Sequence, residues 1–317
     1  MILRLVVIGL ILTFGHQSSC FALKLTTVAF PLTGLKKGDA LKNVVSGAGG
    51  MRDRSLALSL APWQQDLSVS SLAIGGTLIW LQIWISLARN GKIDSKLSRK
   101  IIHSGSAPIF MCLWPLYSNT PEAKYFASGV VFLQALRLAA AGLRKDDSAN
   151  SSKYKVVAKD LQLQGGGGGG DIVDAISRGG GRKEALQGPL VYTVMLFMGT
   201  FIWFRDSPAG VVGIAQMAAG DGLADIVGRR YGTVKWPFAP QKSVAGTAAF
   251  IVAATTVTTL LLLLYSATGS LPVYSLETLL PRVAFISVLC SAVELAPIWE
   301  DNVSVPLAGA ALASILL

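Results

Sequence analysis

Charge is scarce in this chain. Of its 317 residues 15% are charged and 52% are hydrophobic, whereas a soluble domain carries about 25% charged residues. That scarcity argues against a soluble globular domain. The mean hydropathy of +0.53, with apolar residues gathered into runs, points to lipid surroundings. Acidic residues are the scarcer sign, 18 against 28 Lys and Arg, which leaves a net charge of +10. No aromatic-interleaved basic patch accompanies the excess, so no nucleic-acid partner is expected. The cations sit instead in short segments between apolar runs, where membrane topology collects them. Cysteine is limited to Cys20, Cys112 and Cys290, without metal-ligand spacing, so neither a zinc site nor a disulfide framework follows. Histidine is limited to His16 and His103. No internal repeat is visible, which weighs against a transporter built from two related halves.

The first 20 residues combine Arg4, an apolar stretch from Leu5 to Phe14 and small residues up to Cys20, a signal-peptide pattern. From Phe21 to about residue 60 the chain is rich in Lys, Arg, Ser, Thr, Gly and Ala, with Asp39 and Asp53 its acidic residues. This second half reads as a transit peptide. The tandem, with Phe21 at the junction, resembles the bipartite presequences of algal plastids bounded by extra membranes, and a plastid membrane is the expected location. Residues 1–60 are set aside from the fold.

Beyond them the expectation is an all-α, polytopic membrane bundle of seven to eight transmembrane helices, occupying residues 69–317. Candidate spans are Val69–Ala88, Ile101–Ser118, Lys124–Leu143, Gly188–Phe204, Ala209–Ile226, Val244–Tyr265, Val283–Trp299 and Val303–Leu317. The polar stretch 144–187, with the run Gly165–Gly170, reads as a flexible insertion, because successive glycines pack no core. The loops after spans one, three and five carry most of the Lys and Arg, including Arg89, Arg99, Lys100, Arg144, Lys145, Arg229, Arg230 and Lys242. The alternate loops, 119–123, 205–208 and 266–282, carry Arg205 and Arg282. The basic loops therefore fall on one side of the bilayer.

Chemistry gathers on that side. The segment Gly220-Asp221-Gly222-Leu223-Ala224-Asp225-Ile226-Val227-Gly228-Arg229-Arg230 puts Asp221 and Asp225 on one helical face. Carboxylates at membrane depth are costly and usually functional, and two hard oxygen donors suit Mg²⁺ shared with substrate phosphates. Gly220, Gly222 and Gly228 permit close approach of a phosphate or of another helix. The competing reading is an ordinary Asp225–Arg229 pair with the glycines serving helix packing. Arg99, Lys100 and His103 open span two, where His103 could act as a base, a phosphate contact or a buried link. Lys242 and Ser243 open span six and could hold a phosphate by charge, hydroxyl and backbone N–H groups, although capping and anchoring explain them too. Glu294, Asp301 and Asn302 lie toward the same face, and Arg137 within span three needs a carboxylate or phosphate partner. An apolar bundle with cation-binding carboxylates and phosphate-binding cations is equipment for phosphoryl or nucleotidyl transfer onto a lipid.

The strings SRKIIHSGSAPIF, WPLYSNTPEAKYFA, GDGLADIVGRRYG, QKSVAG and DNVSVPLA, in this order, resemble the phytol kinases of plant plastids and their farnesol kinase relatives. These belong to the wider polyprenol kinase family with dolichol kinase. The similarity runs from about Ser98 to the C-terminus, broken by the insertion. It implies transfer of the γ-phosphate of a nucleoside triphosphate, CTP preferred, to phytol, giving phytyl phosphate for tocopherol synthesis and phytol salvage. Carried onto this chain, Asp221 and Asp225 would hold Mg²⁺ and phosphates, Arg229, Arg230 and Lys242 would contact the nucleotide, and Arg99, Lys100 and His103 would join the site. Asp221 is the first candidate for the base. Gln241 departs from the His that related sequences often carry there. A CDP-alcohol phosphotransferase fits less well, since Ala224 is followed by Asp225 where its D-G-x-x-A-R pattern needs Arg. Alcohol chain length and oligomeric state are not legible.

Overall fold

The computed structural model describes residues 60–143, 188–296 and 300–317. The signal-like and transit-like segments, apart from residue 60, and the insertion 144–187 lie outside the described residues. Each of the eight apolar stretches is helical: α1 (Pro62–Arg89), α2 (Ser95–Cys112), α3 (Ala123–Leu143), α4 (Pro189–Ile202), α5 (Pro208–Ala215) continued through a widened π-type turn (Gln216–Asp221) into α6 (Gly222–Tyr231), α7 (Val244–Ala267), α8 (Leu276–Leu295) and α9 (Asp301–Leu316). The strands among the described residues are a two-stranded antiparallel hairpin, β1 (Lys235–Trp236) and β2 (Ala239–Ser243), joining α6 to α7. The fold is all-α in character. Four helices are long and apolar enough to cross a membrane, namely α1, the continuous helix Pro208–Tyr231, α7 and α8, and α4 and α9 are shorter apolar helices.

Side-chain caps set several boundaries. Ser207, ahead of Pro208, accepts from the Ala209 amide, Ser243 from the Gly246 amide and Ser275 from the Thr278 amide, each satisfying a donor that a helix start leaves unpaired. The Ser275 cap corrects span seven. The helix starts at Leu276 and ends at Leu295, seven residues earlier at its start than Val283, because capping chemistry overrides the polar look of 275–282. Arg282 consequently lies inside α8, where Nη1 donates to the Leu316 carbonyl at 3.2 Å, and not in a loop. Span two ends at Cys112, and Trp114–Leu116 form a separate 3₁₀ turn.

The continuous helix from Pro208 is the axis of the bundle. Every residue from Ala209 to Gly220 is buried, with α2, α4, α7, α8 and α9 packed around α5 and the π turn. Its polar side chain in that stretch, Gln216, donates to Ser287 Oγ at 2.9 Å and Thr258 Oγ1 at 3.4 Å, which answers the cost of burying an amide. Helices α1 and α3 stand outside this inner group, α1 against α2 and α3, and α3 against α4. Large apolar side chains such as Ile79 and Leu133 face outward, as suits contact with lipid.

At the end of α2 away from Arg99, the buried Arg205 acts as a latch. Its guanidinium donates to the carbonyls of Trp114 (2.7 Å), Tyr117 (3.0 Å) and Ser118, while Asp66 accepts from the Ser118 amide and hydroxyl at 2.7 and 2.8 Å. Arg205→Ala removes the guanidinium from all three, and the Tyr117 and Ser118 carbonyls lose the donor described for them. It is expected to lower stability by about 2–4 kcal/mol, read as a fall in detergent-solubilised Tm. Turnover per folded molecule should be unchanged, because the latch is remote from the charged end of the bundle described next.

Candidate active site

The π turn places the carboxylate-bearing stretch. A π turn inside a helix recurs at functional sites because it re-aims side chains, and this one ends on Asp221. From there α6 crosses α2 at close range. A Cβ added at Gly222 would overlap Ser104, one at Gly220 would meet the Phe250 ring at 2.6 Å, and one at Gly228 would meet Ser243 Oγ at 3.0 Å. All three glycines thus serve helix crossings, the packing alternative anticipated for them. The approach to Ser104 brings Lys100, one turn earlier on α2, against the two aspartates: its ammonium is 3.6 Å from both Asp221 and Asp225. Gly222→Ala is expected to force α6 off α2, lowering stability by about 1–3 kcal/mol and turnover at least about tenfold, since misplacement of about 1 Å at a site is that damaging. Restored turnover on adding Ser104→Gly would check that the clash is the cause.

A second ion pair meets the first. Lys242, just before the Ser243 cap, donates to Glu294 Oε1 at 2.7 Å and to Asp301 Oδ2 at 2.6 Å. Burial alone would lower the pKa of that ammonium, but Glu294 and Asp301 outweigh burial and hold it charged above its ordinary range. Carboxylate oxygens of Asp221, Glu294 and Asp301 lie within 4.8 Å of one another. Asp225 lies toward Lys100 and receives Arg229 Nε at 2.8 Å. Four carboxylates thus face three cations, Lys100, Lys242 and Arg229. Hard oxygen donors gathered in this way fit Mg²⁺, with Asp221 common to the pair Asp221–Asp225 and to the trio with Glu294 and Asp301.

The cluster forms one end of a cavity of about 710 Å³, within the size range of small-molecule sites. Arg99, Lys100, His103, Arg137, Asp221, Asp301 and Asn302 line its charged end, and Leu78, Leu81, Phe110, Val131 and Leu196 line its apolar length. The His103 ring lies against the Tyr192 ring with centroids 3.7 Å apart, and the Tyr192 hydroxyl donates to the His103 carbonyl at 2.8 Å. This contact ties α4 to α2 along that wall of the cavity.

The residues singled out in the sequence therefore divide by place. Arg99, Lys100, His103, Arg137, Asp221, Asp301 and Asn302 share the cavity wall. Asp225, Glu294 and Lys242 stand one ion pair behind it. Arg229 and Arg230 are on the exposed end of α6, with Arg230 over the Tyr231 ring at 5.7 Å. The Ser243 hydroxyl is engaged in its cap. Sequence reasoning missed Glu300 and Tyr192 on the cavity wall. The one tyrosine in the largely apolar α4 was the available signal for Tyr192.

No protein-family model and no solved structure matches the chain. Curated proteins do. Probable phytol kinase 1, chloroplastic, of Glycine max is 37% identical over 243 residues, covering 76% of this chain and 73% of that protein. Phytol kinase 1, chloroplastic, of Arabidopsis thaliana is 36% identical over 247 residues, 77% of this chain and 74% of the relative. Probable phytol kinase, chloroplastic, of Zea mays is 35% identical over 256 residues, 80% and 77% respectively.

Proposed function

The chain belongs to the phytol kinase family, and from that premise we propose that it transfers the γ-phosphate of CTP to the hydroxyl of phytol in a chloroplast membrane. It is a kinase, a phosphotransferase acting on an alcohol. The observation that carries the reading is the shape of the cavity: an apolar length for an isoprenoid, ending on cations and carboxylates where a hydroxyl would meet a triphosphate. The alcohol oxygen attacks the γ-phosphorus, the bridging P–O bond to the β-phosphate breaks, CDP departs, and the hydroxyl proton passes to a carboxylate, Asp221 first among the candidates. Lys100, Arg99 and Arg137 would balance phosphate charge in a low-dielectric setting, where preorganised cations count most. Asp221, with Asp225 or with Glu294 and Asp301, would hold Mg²⁺, which when bound offsets charge on the transferring phosphoryl group. His103, fixed by Tyr192, orients the hydroxyl. The product, phytyl phosphate, would supply tocopherol synthesis and phytol salvage.

The test is purified protein in detergent or nanodiscs with γ-labelled CTP, ATP or UTP and phytol, farnesol or geranylgeraniol, with Mg²⁺ and with a chelator. Phosphorylated phytol formed fastest from CTP and only with Mg²⁺ is the expected result. Preference for farnesol or geranylgeraniol would move the substrate, preference for ATP would move the donor, and no labelled alcohol at all would end the kinase reading.

A further inference from the structure

Four helices wall the apolar length of the cavity: Leu81 to Ile74 on α1, Arg99 to Phe110 on α2, Leu138 to Val130 on α3 and Pro189 to Leu196 on α4. Below the charged residues Arg99 and Lys100, the α2 stretch from His103 to Phe110 runs alongside those of α1 and α4. Seven residues of helix rise about 10.5 Å, so the apolar length is about 10–11 Å from the charged end to the floor. Phe110, Val131 and Leu196 at that floor are buried. The sixteen-carbon backbone of phytol, with bonds of about 1.5 Å advancing about 1.25 Å each along the zigzag, extends to about 19 Å. About half of an extended tail therefore has no room along the cavity axis.

The walls are not equally closed. On the α2–α4 side the lining residues Phe110, Tyr192 and Leu196 are 6%, 5% and 7% exposed, and the His103 ring lies against Tyr192. On the α1–α3 side the lining residues Ile74, Leu78 and Leu133 are 40%, 38% and 58% exposed. The two helices meet below that level, where Ser70 Oγ donates to the Phe126 carbonyl. Above it the exposed lining residues mark a gap, flanked in sequence by the exposed apolar side chains Ile79 and Leu136, so that its rim is apolar. Such a rim suits contact with acyl chains, and α1 is long and apolar enough to cross a bilayer.

We propose that the site takes the first two or so isoprene units of its alcohol inside the protein, and that the rest of the tail leaves sideways between α1 and α3 into the bilayer. This rests on the kinase reading and adds a rule of specificity to it. A methylene lying in lipid before binding and in lipid afterwards contributes no burial difference, because lipid tails are as apolar as a protein interior. Chain length beyond about ten carbons is therefore not discriminated, whereas a closed pocket would reject overlong tails.

The experiment has two arms, both on the full chain in nanodiscs. In the first, geraniol, farnesol, phytol and solanesol are compared at equal mole fraction in the lipid. The rates per mole fraction are expected to agree within about threefold from farnesol to solanesol, and Leu133→Trp, which crowds the gap, should lower the phytol-to-geraniol ratio about tenfold, the scale of a pocket's steric selectivity. In the second, geranylgeraniol with a diazirine at its distal end is photolysed. Adducts on lipid, Leu78 or Leu133 are expected. A loss of about a hundredfold at solanesol, or adducts on Phe110 or Leu196, would overturn the proposal with the kinase reading intact. If no alcohol is phosphorylated the kinase reading fails, and the photolysis arm still decides where the tail lies.

Discussion

Asp221→Asn is expected to reduce kcat/KM for alcohol phosphorylation by about a thousandfold, the scale seen when a charged group that acts on the transition state is removed. The chain should fold as well as before. Asp221 is drawn to Lys100 at 3.6 Å and also feels the charge of Lys242, while it shares the site with Glu294 and Asp301 within 4.8 Å, so removing its charge loses attractions and relieves repulsions that largely offset. Asparagine also keeps the shape that α6 needs against α2. A Tm within a few degrees of wild type together with lost turnover therefore marks a chemical role. Asp225→Asn and Asp301→Asn extend the test. Whichever raises the Mg²⁺ concentration for half-maximal rate at least about tenfold shares the metal with Asp221, and the other acts through Lys100 or Lys242. Full activity in Asp221→Asn would remove this cluster from the reaction.

The helices were legible because uncharged runs longer than a soluble strand or amphipathic helix have few alternatives. α1, α3, α5 and α7 begin or end within a few residues of the runs that predict them. The boundary failed at α8, where the Ser275 cap starts the helix inside a stretch that reads as a polar loop. Within the site, i,i+4 neighbours were readable: Asp221 with Asp225, Arg99 with His103, and the Asp225–Arg229 pair that the structure forms. What joins Lys242 to Glu294, 52 residues on, and to Asp301, 59 residues on, is tertiary packing, and no periodicity encodes it. Neither could the carbon-lined wall be read. Leu78, Val131 and Leu196 look like any other lipid-facing residues until α1, α3 and α4 are placed around α2. The latch of Asp66 and Arg205 was invisible for a different reason. Asp66 precedes the apolar run that defined the first span, and its partner Ser118 is the last residue of the second.

Lys242→Met is expected to be the most destabilising single change at the charged end. Lys242 is 29% exposed, Glu294 3% and Asp301 29%. Losing the ammonium strands Glu294 beside two further carboxylates. Breaking a buried pair from one side costs about 3–5 kcal/mol. Partial solvent access at Lys242 and Asp301 reduces that here to about 2–4 kcal/mol. Glu294→Gln alone should cost less, because Asp301 still engages the ammonium, and the double variant Lys242→Met/Glu294→Gln should recover part of the single loss. A double-mutant cycle on Tm or chemical unfolding would give a coupling of about 1–3 kcal/mol. The same variant tests the nucleotide contact expected from the sequence. If Lys242 mainly neutralises Glu294 and Asp301, Lys242→Met lowers Tm, and the double variant regains both folding and nucleotide KM. If Lys242 turns to the triphosphate during the reaction, the double variant regains folding while its nucleotide KM stays at least about tenfold raised, since a charge-assisted contact is worth about 1.5–3 kcal/mol.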